Sequence, residues 1–81
     1  MDFEKFTETA QKAVHDYVLN QLEDKEVSFE VFSIWSCGND NSFDALFRTD
    51  IGSEYYGVSY SVETEQMRLD VYDLTHIEKL M

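Results

Sequence analysis

The chain has no proline, one cysteine, three glycines and six cations in 81 residues, and each shortage removes a class of explanation. Without proline, and without a glycine- or serine-rich stretch, nothing marks a linker, a low-complexity segment or an internal repeat, and the length suits one domain spanning residues 1–81. Cys37 alone forms no internal disulfide and supplies neither a paired-cysteine zinc site nor a redox pair, which fits a reducing, cytoplasmic setting. Gly38, Gly52 and Gly57 are isolated, so no glycine-rich loop is available to cradle a phosphate. No segment approaches the roughly 20 apolar residues of a membrane span. Asp2, Glu4, Lys5 and Glu8 interrupt the first turns where a signal peptide would be apolar, so neither membrane binding nor a leader is expected.

The shortage of cations has its own consequence. Six bases against seventeen acids give a formal charge of −11, which repels phosphate backbones and anionic lipid over a Debye length of about 8 Å. Direct nucleic-acid binding is therefore not expected. Such a balance serves solubility as readily as it serves an acidic working surface.

What the chain does have is aromatic side chains, at 15% of residues, each able to bury about 150–250 Å² in a thin domain with few core positions. Phe3, Phe6, Ala10, Ala13, Val14, Tyr17, Val18 and Leu22 recur at helical spacing, with Glu4, Lys5, Glu8, Lys12, Asp16 and Glu23 mostly on the other side. This predicts an amphipathic helix of about six turns, capped by Asp2 and fraying near Asp24, where Glu23, Asp24 and Glu26 oppose the helix dipole and Lys25 offsets them in part.

After Glu26 the period changes to two, and four strands are expected, at Val27–Ser36, Ser42–Thr49, Tyr55–Glu63 and Gln66–Leu74. The connections, Cys37–Asn41, Thr49–Glu54 and the pair Thr64 and Glu65, are short enough to make every neighbouring pair antiparallel. The predicted fold class is α+β: one N-terminal helix on a four-stranded antiparallel meander, α-β-β-β-β.

Alternation assigns Phe43, Ala45, Phe47, Tyr56, Val58, Tyr60, Val62, Met67, Leu69 and Val71 to the helix-facing core. The first strand is irregular. Phe29 and Val31 share one side, Phe32 and Ile34 the other, and Trp35 returns to the side of Phe29, so the strand is either buried on both faces or bulged. Trp35 is assigned to the core. The second sheet face would carry Glu30, Asp44, Arg48, Ser59, Ser61, Glu63, Arg68 and Asp70 beside Phe32, Ile34, Leu46, Tyr72 and Leu74. One helix cannot cover both faces, so this cluster must meet the C-terminal residues Ile77, Leu80 and Met81 or another molecule. Tyr55 and Tyr56 point to opposite faces, and Tyr55 is the one expected outside the core.

Catalytic and metal chemistry finds little to work with. Cys37 has no histidine at a spacing that pairs it with a base, and a small apolar residue at a strand end is the simpler account. His15 with Asp16 and His76 with Glu78 lack His-x₃-His spacing and a third ligand, so no metal is expected. Asn39-Asp40-Asn41-Ser42-Phe43-Asp44 has the acids of a calcium loop, but its glycine precedes them and no glutamate closes it, so it reads as a polar hairpin turn. Neither a cofactor nor an enzymatic activity is expected.

The strings Lys5-Phe6-Thr7-Glu8-Thr9-Ala10 with Tyr17, Ile34-Trp35-Ser36-Cys37, Ala45-Leu46-Phe47-Arg48-Thr49, and Tyr55-Tyr56 with Tyr60 and Asp70 resemble a family of small proteins of unknown function from phages and prophages of Gram-positive bacteria. The likeness runs from about Phe3 to Asp73, and those relatives are richer in lysine than this chain. It implies a phage origin and a host-cytoplasmic setting, and assigns no site residues. The expected function is accordingly binding and modulation of a host macromolecule, as a host-takeover or anti-defence inhibitor. One version is DNA mimicry, in which alternate carboxylates about 6.6 Å apart on a strand imitate phosphates. The alternative is a self-associating structural or accessory protein, a homodimer paired through the helix-free face. Candidate partner-binding residues are Phe32, Ile34, Leu46, Tyr55, Tyr72, Glu30, Asp44 and Asp70.

Overall fold

The computed structural model describes residues 1–72, and in it one helix, α1 (Phe3–Gln21), is followed by four strands, β1 (Val31–Gly38), β2 (Ser42–Thr49), β3 (Tyr55–Ser61) and β4 (Gln66–Tyr72). The strands form one antiparallel sheet in the order β1-β2-β3-β4. This is the expected α-β-β-β-β meander.

The helix begins where its cap dictates. Asp2 is extended and its carboxylate accepts from the Lys5 backbone N–H at 2.8 Å, while Glu4 adds negative charge in the first turn. Asp2→Ala is expected to lower stability by about 1 kcal/mol, with Asp2→Asn close to neutral, as read from urea unfolding. At the other end α1 stops at Gln21 with no basic residue in its last turn. Lys25 does the work from outside, its Nζ reaching back to the Leu19 and Asn20 carbonyl oxygens at 2.9 and 3.0 Å.

Phe6, Ala10, Val14 and Val18 form the fully buried stripe of α1 and meet Val31, Ala45, Phe47, Tyr56, Val58 and Tyr60. At one end Phe3, Phe6, Phe43 and Tyr60 pack ring against ring at centroid distances of 5.5–6.5 Å. Gly38 makes room for them, since a Cβ there would lie 2.6 Å from the Phe3 ring and 2.8 Å from that of Phe43.

On the third and fourth strands two residues expected in the core, Val62 and Val71, are outside it. Val71 is exposed because α1 packs chiefly over β1 and β2 and less over β3; a helix about 10 Å across covers roughly two strands spaced about 4.8 Å apart. Met67 and Leu69 on β4 are partly buried against the core edge. Val62 is exposed because β3 ends at Ser61, before a turn in which Glu65 takes a positive φ of 56°.

The first strand also begins later than expected, at Val31 rather than Val27. Phe29 is buried nonetheless, stacked on His15 with ring centroids 4.6 Å apart. Glu30 and Asp50 tie the two connections together, the Glu30 N–H donating to the Asp50 carboxylate at 3.0 Å and the Asp50 N–H to the Glu30 carbonyl at 3.3 Å. The β1–β2 turn is the polar hairpin expected from its sequence, with the Asn39 side-chain oxygen accepting from the Asn41 and Ser42 N–H groups.

Tyr56 carries a shifted ionisation. Burial pushes its phenol above the ordinary value, and the charges of Glu54 and, to a lesser degree, Tyr17 push the same way. The folded chain therefore holds this proton more tightly than the unfolded chain, so the contribution is intact below about pH 10 and is lost as pH rises through the folded-state value. Urea midpoints should fall above about pH 10 and fall less steeply in Tyr56→Phe.

Candidate partner-binding face

The side of the sheet away from α1 is built from cross-strand rows. Phe32, Arg48, Tyr55 and Tyr72 stand in register in one row, Trp35, Leu46, Gly57 and Asp70 in the next, and Cys37, Asp44, Ser59 and Arg68 in a third. Leu46, Tyr55 and Tyr72 were expected on this face and come together there.

Trp35 is the correction. Strict alternation puts it in the core, but the β1–β2 register slips between Ser33 and Trp35, leaving Ile34 as the extra residue of a bulge. The slip sets Trp35 opposite Leu46 and moves its ring to the helix-free side, 49% exposed. Of the two accounts of the first strand, the bulge is the one observed.

Trp35, Leu46, Tyr55 and Tyr72 line an almost wholly apolar, open concavity of about 320 Å³. Glycine at position 57 is what lets it form. A Cβ there would lie 2.9 Å from the Tyr72 ring, so the ring lies down over the β3 backbone. Phe32, in the row of Tyr55 and Tyr72, and Ile34, in the bulge, are further exposed apolar side chains.

The charges on this face balance. The four strands contain two acids, Asp44 and Asp70, and two bases, Arg48 and Arg68, all on the helix-free side. Arg68 Nε donates to the Asp70 carboxylate at 3.0 Å, whereas Asp44 and Arg48 make no ion pair among the described residues. The other described acids are Asp2 at the helix cap and those on α1 and the connections; of these Glu30, just ahead of β1, and Glu63, in the turn after β3, were expected on this face and lie outside the strands. The chain is strongly acidic while its open sheet face is neutral.

Other chemistry stays dispersed. Cys37 is exposed on the helix-free side, opposite Asp44, while His15 stands on α1 against Phe29, so the sheet separates them. His15 lies 3.8 Å from Asp16, and no group of three His, Cys, Asp or Glu side chains among the described residues is placed to hold a metal ion. A larger hollow, about 690 Å³, lies over the β3–β4 hairpin and is lined by Ser59, Ser61, Thr64, Gln66, Met67 and Arg68; it contains one ionisable group and no acid–base pair. No described helix is long and apolar enough to cross a membrane. The expected contributions of Leu74, His76, Ile77, Glu78, Leu80 and Met81 lie outside the described residues.

Fold and face together define a small two-layer α+β domain in which, among the described residues, one sheet face is covered by a helix and the other is left apolar and uncharged overall. Residues 7–78 match a Family of unknown function (DUF6275), and the chain belongs to that family. No curated protein and no solved structure matches it.

Proposed function

We propose that this is a non-catalytic docking protein that binds another protein through its helix-free sheet face. The observation that carries this reading is the composition of that face. Trp35, Tyr55 and Tyr72 line an apolar concavity and Arg48 stands in register beside Tyr55, and these are the three residue types that dominate binding hot spots. A fully hydrated function would have no use for such a surface.

The phage setting implied by the sequence resemblance makes a host macromolecule the class of target, with modulation or inhibition as the outcome of docking. The acids then act at a distance, keeping the chain soluble and repelling nucleic acid and anionic surfaces. Phosphate mimicry along a strand has little support, because no strand contains more than one acid.

Capture of partners from a host lysate at low and high salt tests the reading. Apolar docking predicts that the same protein is retained in both, whereas loss of every partner at high salt would identify an electrostatic mimic instead.

A further inference from the structure

We propose that the helix-free face also pairs with a second copy of the same chain, through a two-fold axis that crosses the strands at Leu46. The inference rests on the reading of this face as a docking surface and adds a homotypic occupant to it. A homodimer built on one patch must be self-complementary about its axis. The outward positions of β2 have that property: Asp44, Leu46 and Arg48 follow one another at alternate residues, an acid and a base equidistant from an apolar centre.

Asp44 and Arg48 stand about 13 Å apart along one strand, so within a chain they do not reach each other. Neither has an ion-pair partner among the described residues. Turning a second sheet about an axis through Leu46 sets each Asp44 against the second copy's Arg48, twice, around a Leu46–Leu46 contact. Aligned sheets pack about 10 Å apart at about 30°, a gap that arginine and aspartate span together.

The outward positions of β4 fit the same axis. On β4 the axis sets Arg68 against the second copy's Tyr72, a cation over an aromatic ring. Asp70 falls near the axis and meets its own copy, but each carboxylate is already held by Arg68 at 3.0 Å, so the four groups form a neutral cluster. The acids on α1 and the connections stay at the periphery. Four strands of seven or eight residues give a footprint of roughly 450–520 Å² per copy, at the small end of specific interfaces, so the pairing is reversible and gives way to a tighter partner.

Sedimentation of the full chain across micromolar concentrations tests this through charge exchange. The unaltered chain should show a monomer–dimer equilibrium. Asp44→Arg and Arg48→Asp should each weaken it by about tenfold or more, because like charges then face each other. Mixing the two variants should restore dimers of one copy of each, and the double variant Asp44→Arg/Arg48→Asp should restore self-association, since both arrangements again oppose acid to base. Circular dichroism on each variant separates lost pairing from lost fold. The proposal is overturned if the unaltered chain stays monomeric, if the single variants pair as well as it does, or if the mixture stays monomeric. A monomer whose face is nevertheless shielded would instead assign that face to residues 73–81. Docking to another protein fails separately, through partner capture that ignores changes at Trp35 while the charge exchange behaves as expected.

Discussion

Phe47→Ala should cost about 3–5 kcal/mol, while Phe32→Ala should cost less than about 1. Both residues are phenylalanines on the paired strands β1 and β2, but they lie on opposite faces. Phe47 is 2% exposed beneath α1, in register with Ser33 and Tyr56. Phe32 is 43% exposed on the helix-free side, in register with Arg48. Removing the Phe47 ring leaves a cavity between helix and sheet, whereas removing the Phe32 ring uncovers surface already in contact with water. A domain of this length has roughly 4–12 kcal/mol of stability, so the Phe47 change should leave much of the chain unfolded at ambient temperature or move its urea midpoint far down. Equal costs at the two positions would mean that the sheet has no single core face.

Trp35→Ala is the second large effect, and it falls on binding. A truncated aromatic anchor at the centre of an interface costs about 2–4 kcal/mol, which is a rise of roughly 30- to 1000-fold in the dissociation constant of the captured partner. Stability should move little, because the ring is half exposed and lies away from α1. Glu8→Gln, which removes one exposed acid from α1, should leave the affinity nearly unchanged if docking is apolar. Titration calorimetry of the three chains against the captured protein reads this directly, and the opposite ranking would return the function to the acidic surface.

The two positions also show how far the sequence carries. Phe47 is legible from alternation alone, because β2 is regular from Ser42 to Thr49 and its period is unbroken. Leu46, Tyr55 and Tyr72 follow from the same rule, which is why most of the concavity was foreseeable. Trp35 was not. One extra residue at Ile34 inverts the facing of everything after it in β1, and no residue type announces where such a slip falls. The irregular pattern of Phe29, Val31, Phe32, Ile34 and Trp35 signalled that a bulge was one of two solutions without saying which face the indole takes. Val71 failed for a different reason. Its alternation is correct, but burial depends on how many strands one helix covers, and that is a matter of tertiary width.

Charge was the most conspicuous feature of the composition and proved a poor guide to the face. Summed over the chain it is strongly negative, yet the strands hold two acids and two arginines. Alternation already sets Asp44, Arg48, Arg68 and Asp70 on one side, and because Glu30 and Glu63 fall outside the strands that side is a neutral apolar patch within an acidic molecule.

The most direct test of the helix-free face as the working surface is oxidative footprinting of the full chain, free and bound to its captured partner. The account predicts that Trp35, Tyr55 and Tyr72 lose reactivity on binding while Phe3 and Tyr17, at the exposed margin of the helix, keep theirs. Protection of Phe3 and Tyr17 with Trp35 and Tyr72 unchanged would contradict it.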